Sequence, residues 1–407
     1  MTYGDAVPAI TPRYSGFVNR DTVAGLTSAP SCGTKATSAS QVAGSPYATS
    51  CSGAAAPNYT ISYANGALTV TKAPLTATAA DASRLYGAAN PTFMGVLTGV
   101  KNNDAIAASY SSAATPGSTV GSYAIAPALS APAGVLDNYS VTLTNGALTV
   151  TPAPLTITAD DKTTPYGRAP AYTWTSAGWV NEESASTLAI APNSAPTCGA
   201  RVNAAAVSAT TPPGVYSGVI TCRNAADSNY AITDANGTLT INPLLSLNEQ
   251  GLPSGVPHQV TLDGQTIPLP DVGVELAYGS RHSYGFPATV TDGSGAIYIT
   301  ADAGFSGTVT ANISDTATYQ TMAQAISAAL ASGGIDNGGQ ANALTQQFAA
   351  VQADIKAGNT AQAIADLHSF AAHGRAQAGK HIAAATAQAL LAAAQSVYAN
   401  QGGTGSV

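Results

Sequence analysis

Charge is scarce in this 407-residue chain: Asp, Glu, Lys and Arg make up 9% of it, against roughly a quarter of an average soluble protein. With Lys+Arg 14, Asp+Glu 21 and a formal net charge of -7, no basic stripe exists to neutralise phosphates, which excludes nucleic acid as a partner. No apolar run reaches the roughly 18 residues of a membrane-spanning helix. Histidine is missing before His258 and no Cys-x-x-Cys occurs, so zinc chemistry has no ligand pattern. GxSxG, HExxH, phosphate-binding loop and dinucleotide glycine patterns are also missing. A non-enzymatic chain without cofactor or metal is therefore expected. Nor does Met1 open a signal peptide. It is followed by "TYGDAVP", which reads as the interior of a repeat whose first strand is absent, so the chain is expected to be a fragment.

What is present is repetition. The stretch "NYTISYANGALTVTKAPLTATAADASRLYG" from Asn58 returns as "NYSVTLTNGALTVTPAPLTITADDKTTPYG" from Asn138, and a looser copy starts at Asn229. Tyr-Gly at Tyr3, Tyr86 and Tyr166 sets a period of roughly 80 residues, long for a solenoid unit and suited to a small sandwich. Apolar residues alternate through Tyr59, Ile61 and Tyr63 and again through Leu68 and Val70, the period of half-buried strands. Asn65-Gly66, Asn145-Gly146 and Asn236-Gly237 sit between the two arms and predict a tight hairpin whose turn needs positive φ. Pro74 and Pro154 cannot donate a ladder hydrogen bond and mark where one domain hands over to the next. Joints this short predict a semi-rigid, monomeric rod.

A second segment aligns without gaps from Pro8, Pro91 and Pro170 to Gly16, Gly99 and Gly178, followed by Asp21, Asp104 and Glu183. Phe17, Val100 and Trp179 share one slot, which predicts core packing for Trp179. Trp174 has Pro12 and Gly95 as counterparts, so it is expected to be exposed. With "YG", "NP", "GfvngD", "NY", "NG-LTV" and "APLTITA" in order, residues 1 to 243 resemble the bacterial MBG repeats of the YGX type. The resemblance implies tandem immunoglobulin-like extracellular β units of the kind found in large secreted or surface proteins, adhesin-like ones included.

Cys32 and Cys51 lie in the first copy, Cys198 and Cys222 between equivalent landmarks of the third, and the second copy has neither. Joint loss predicts that they work as pairs, Cys32 with Cys51 and Cys198 with Cys222. Each bridge closes a loop of roughly 20 residues, worth about 3 kcal/mol in the chain-entropy picture, and implies oxidising surroundings.

Residues 244 to 315 carry Gly, Pro and short alternating runs that predict a fourth sandwich, and "NEQGLPSGVPHQVTLDG" resembles a short immunoglobulin-like module of secreted archaeal and bacterial surface proteins. Asp292, Gly293, Ser294 and Gly295 read as a plain turn more than a calcium loop, because no carboxylate ladder follows. From Tyr319 the chain turns to Ala, Gln and Leu at helical spacing. Four helices are predicted, with faces at Ile326 and Leu330; Phe348, Val351 and Ile355; Ile364, Leu367 and Phe370; and Leu390, Leu391 and Val397. The run from "GGIDNGG" to "QAGKHI" resembles the FIMAH domain, a helical module common at the C-terminal side of secreted bacterial multidomain proteins. The tail "QGGTGSV" is expected to be disordered.

The fold class expected is thus mainly β, with tandem immunoglobulin-like sandwiches at 1–73, 74–153, 154–243 and 244–315, a helical domain at 316–400 and a tail at 401–407. Few residues offer chemistry. Of His368, His373 and His381 in the helices, the first two are five residues apart and do not share a helix face well. Asp160-Asp161 and Glu182-Glu183 are adjacent pairs, whereas a glycosidase needs two carboxylates across a cleft. Trp174 is the one candidate glycan contact, and a packed or incidental tryptophan without a ligand is the stronger expectation. The expected function is a non-enzymatic stalk of a secreted bacterial surface or adhesin-like protein, extracellular, meeting polysaccharide or host protein. The alternative is an ancillary glycan-binding region of a secreted carbohydrate-active enzyme.

Overall fold

The second repeat shows the plan of the molecule. In the computed structural model, which describes residues 1–269 and 271–407, it contributes β4 (Ala73–Ala79), β5 (Ala82–Leu85), β6 (Gly95–Thr98), β7 (Ala107–Ser111), β8 (Gly121–Ser130), β9 (Tyr139–Thr144) and β10 (Gly146–Thr151). They form two sheets, ordered β6-β4-β9 and β5-β10-β8-β7. Along β4, Ala73, Leu75, Ala77 and Ala79 are buried while the residues between them face outward, the two-residue period of a strand with one face on a core. As the central strand, β4 runs antiparallel to β6, with Thr76 opposite Thr98, and parallel to β9, with Ala73 opposite Tyr139. Pro74 pairs only on the β9 side, since the β6 pairing begins at Thr76, so its missing N–H interrupts no second ladder.

The expected hairpin is not there. β9 and β10 belong to different sheets, so the chain crosses from one sheet to the other at Asn145-Gly146. Neither residue has positive φ. Glycine is needed for a different reason: a Cβ on Gly146 would lie 2.6 Å from the Ala80 carbonyl oxygen, and one on Gly237 2.6 Å from that of Ala159. Beside each crossing a carboxylate holds the entering strand, Asp81 accepting from the Ala147 N–H at 2.7 Å and Asp161 from the Thr238 N–H at 2.6 Å.

The third repeat has β11 (Ala153–Ala159), β12 (Lys162–Pro165), β13 (Trp174–Ala177), β14 (Thr197–Val202), β15 (Ala205–Ala206), β16 (Gly214–Arg223), β17 (Tyr230–Ala235) and β18 (Gly237–Asn242). Its sheets are β13-β11-β17 and β12-β18-β16-β14-β15, the second repeat's plan with one short strand added at an edge. The first repeat has a single sheet, β1 (Ser31–Thr34), β2 (Tyr47–Ser52) and β3 (Gly66–Leu68), and no counterpart of β4. Cys32 and Cys51 are bonded and sit directly opposite each other across β1 and β2, and Cys198 is bonded to Cys222.

Beyond Pro243, β19 (Leu244–Gln250), β20 (Gln259–Leu262), β21 (Gln265–Pro268), β22 (Asp271–Glu275), β23 (Arg281–Gly285), β24 (Thr289–Thr291), β25 (Ile297–Ile299), β26 (Phe305–Thr308), β27 (Ile313–Thr318) and β28 (Gln320–Thr321) make three small sheets. Leu245, Leu247, Val260, Tyr284 and Tyr319 share one core.

Four helices follow, α1 (Met322–Ala331), α2 (Gly338–Ala357), α3 (Thr360–Gln377) and α4 (Ala384–Asn400). Local chemistry sets their ends: Thr321 caps α1 in a reciprocal pair with Gln324, Asn337 caps α2, and Gly358 closes α2 at φ 76°. Ile326, Phe348, Val351, Leu367, Phe370 and Val397 are buried together, and Ile297 and Ile299 of β25 join the same core. Leu330, expected on the inner face of α1, is 36% exposed. The tail is not disordered as expected. Val407 is buried in the helical core, its N–H donates to Gln395 Oε1 and its carbonyl accepts from Arg375, because a single apolar residue at the end anchors the polar run before it. No described helix is long and apolar enough to cross a membrane.

Candidate functional site

Tyr139 opens β9 and is 2% exposed. Burial pushes its phenol up to about 12, and the neighbouring Asp104 adds to the rise. Its hydroxyl donates to Asp104 Oδ2 at 2.6 Å and accepts from the Lys101 N–H at 2.9 Å. A second tyrosine reaches the same carboxylate from the preceding repeat: the Tyr3 hydroxyl donates to Asp104 Oδ2 at 3.1 Å. The two rings meet edge to face at 5.5 Å, a favoured aromatic geometry. Around them Val42, Tyr47 and Val70 of the first repeat and Leu75, Leu97 and Leu129 of the second form one apolar cluster, so the core runs across the joint.

The next joint repeats the arrangement. Tyr86 of the second repeat and Tyr230 of the third both donate to the carboxylate of Glu183, Tyr86 at 2.7 Å. Their rings meet at 5.6 Å, and Trp179 packs on Tyr230 at 5.1 Å. Burial raises both phenols, with Glu183 adding to it. The Val180 N–H donates to the Tyr230 hydroxyl as Lys101 does to Tyr139. An asparagine completes each latch: Asn138 Oδ1 accepts from the Val42 N–H at 2.9 Å, and Asn229 Oδ1 from the Val120 N–H at 3.1 Å, each reaching back one repeat.

Glycine after the first tyrosine has a steric role. Gly4 and Gly87 have φ of 84° and 79°, and a Cβ there would lie 2.5 Å from side-chain carbons of Lys101 and Val180 respectively. The "YG", "GfvngD" and "NY" signatures are therefore the parts of one contact, built from two successive repeats. The first repeat carries half of it, Tyr59 donating to Asp21 Oδ2 at 2.8 Å. Each "YG" tyrosine donates its N–H to a backbone carbonyl, Tyr3 to Thr71, Tyr86 to Thr151 and Tyr166 to Asn242, but among the described residues the Tyr166 hydroxyl has no partner and nothing crowds Gly167. There Asn242 makes the joint, its side chain donating to Glu275 at 2.7 Å and accepting from the Tyr278 N–H.

The other residues singled out from the sequence do not converge. Trp174 and Trp179 are both half-buried, so the expected contrast between an exposed and a core ring is absent: Trp174 starts an edge strand, and Trp179 lies on Tyr230 with its indole N–H donating to Ser176. Asp160 accepts from the Thr173 hydroxyl, Glu182 sits in a turn at φ 63°, and Glu183 is the latch carboxylate. Asp292 Oδ1 accepts from Ser294 and Ala296 of its own loop, the local bonding of a turn. His368 packs on Tyr398, His373 bonds Gln340 and His381 pairs with Asp336. Among the described residues no three His, Cys, Asp or Glu side chains come together.

Comparison with known proteins agrees with this anatomy. No curated protein matches the chain. A solved structure of the Bacillus anthracis TIE protein is similar over 72% of this chain at 10% identity and a TM-score of 0.21, too low to carry an argument; the match spans 59% of that protein. The FIMAH domain model matches residues 319–399. The MBG domain (YGX type) model matches three times, over residues 1–69, 75–149 and 155–240. With more than half of its length in those three matches, and both joints between successive repeats made from the signature residues, the chain belongs to the MBG domain (YGX type) family and carries a FIMAH domain at its C-terminal side.

Proposed function

We propose that this chain is a non-enzymatic stalk of a secreted bacterial surface or adhesin-like protein, whose repeats hold and present neighbouring domains. The observation that carries the reading is the twice-repeated latch, in which one carboxylate takes two tyrosines from successive repeats. Hydroxyl, carboxylate and apolar ring are there spent on orientation between repeats and not on a ligand. Two disulfides within repeats suit an oxidising, extracellular setting. The matched families are non-catalytic, in keeping with a presenting role. The division at 1–73, 74–153, 154–243, 244–315 and 316–400 belongs to the same proposal.

A pull-down of the full chain on insoluble and immobilised polysaccharides tests it. The stalk reading expects no retention. Retention that disappears in Trp174→Ala would replace it with a glycan-binding function.

A further inference from the structure

One edge strand of the second repeat lacks a protection that its counterpart in the third repeat has. β9 lies at the edge of the sheet β6-β4-β9, and β17 at the edge of β13-β11-β17. Val141 of β9 stands opposite Leu75 and Leu143 opposite Ala77, both fully buried residues of β4. Val141 and Leu143 therefore point to the core side of the sheet, yet they are 41% and 50% exposed. Among the described residues β9 pairs with β4 alone, which leaves alternate N–H and C=O groups along its outer side open to a further strand.

Proteins blunt such edges with charge, proline, a bulge or an inward-pointing charged residue. β9 reads Tyr-Ser-Val-Thr-Leu-Thr and has none of these, and its register with β4 runs without a shift. β17 reads Tyr-Ala-Ile-Thr-Asp-Ala, with Asp234 in the place of Leu143. Asp234 alternates with Tyr230 and Ile232, which sets it on the core side. A strand laid against β17 would bury that charge, at a cost in desolvation; one laid against β9 would bury two aliphatic side chains. The opposite edge of the same sheet differs from β9, since Leu97 of β6, opposite Ala77, is half-buried and the Tyr110 ring lies against Gly95.

We propose that β9 is the surface through which a second copy of this chain associates laterally, strand to strand and antiparallel, about a two-fold axis at Thr142. The strand is complementary to itself. With Thr142 opposite Thr142 of the second copy, Val141 meets Leu143 on the core side and Ser140 meets Thr144 on the outer side, each pairing occurring twice. Aliphatic groups meet aliphatic groups, hydroxyls meet hydroxyls, and no charge is buried. A shift by one residue would turn the second copy's core face to the other side of the joined sheet, so the register is specified. Six residues a side fall well short of the roughly 20–30 of a stable interface. The contact is therefore weak between free copies and takes effect where copies are held close together. It adds association between copies to the stalk reading and does not rest on it.

The test is disulfide capture in the full chain. Directly opposed cysteines on neighbouring strands can bond, as Cys32 and Cys51 do, so Thr142→Cys reports the two-fold axis and Thr98→Cys, on β6, is the control. Under mild oxidation Thr142→Cys should form a linked dimer about tenfold faster than Thr98→Cys, and adding Leu143→Asp should slow it about tenfold. Leu143→Thr, which keeps a strand-favouring residue, should slow it too. On β17, Thr233→Cys should link slowly and gain speed once Asp234→Leu is added. In the unaltered chain, amide exchange at residues 140–144 should slow as protein concentration rises. Equal linkage at positions 142 and 98 overturns the proposal, as does linkage at 142 that neither Leu143 substitution slows. Concentration-dependent protection that appears elsewhere and not at 140–144 also overturns it, since copies would then meet through another surface.

Discussion

Asp104 and Glu183 each accept from two buried tyrosines of different repeats, while Asp21 accepts from Tyr59 alone. Removing such a carboxylate leaves two hydroxyls without their acceptor, at a cost of about 1–3 kcal/mol. Asp104→Ala and Glu183→Ala should therefore speed proteolysis at the joints several-fold, and Asp21→Ala should do less; equal effects for all three would contradict the latch. The tyrosines also set a pH limit. Burial first, and then Asp104, raise Tyr139 to about 12 from its ordinary 10.0, so the stability it contributes is complete below pH 10 and is lost as pH rises through about 12. Tyr86 and Tyr230 shift in the same direction. Tyrosinate absorbance should show late-titrating phenols, one fewer in Tyr139→Phe, with the joint loosening over that alkaline window. These residues stood out in the sequence as repeat landmarks but not as partners. Tyr86 and Glu183 are 97 residues apart, a separation that a single-repeat alignment folds away.

At the scale of the element, helical spacing located all four helices, whereas alternation through Tyr59, Ile61 and Tyr63 predicted a strand that the first repeat does not form, and the stretches around Pro74 and Pro154, read as joints, are the strands β4 and β11. The Asn-Gly signal misled because the same dipeptide answers two demands: positive φ in a hairpin, or absence of a Cβ where a strand crosses close to another backbone. Only the neighbouring carbonyls of Ala80 and Ala159 decide between them. The cysteine pairing was legible because both members vanish together from the second copy. In the first repeat that bridge ties β1 to β2, two of the three strands of its sheet. Replacing Cys32 and Cys51 by serine together should lose about 3 kcal/mol, seen as faster hydrogen exchange confined to residues 31–34 and 47–52. Faster exchange spread evenly over the chain would show that the bridge does not act on that sheet.

For the whole molecule, what the sequence conveyed was modularity, through its period and its change of composition near Tyr319. How successive repeats are held depends on contacts between residues of different copies, which no single copy contains. The stalk proposal rests on those contacts being rigid. Measuring residual dipolar couplings for the first two repeats within the intact chain tests this most directly. One alignment tensor fitting both repeats, and splitting into two in Asp104→Ala, is the result the latch predicts; two independent tensors in the unaltered chain would contradict it.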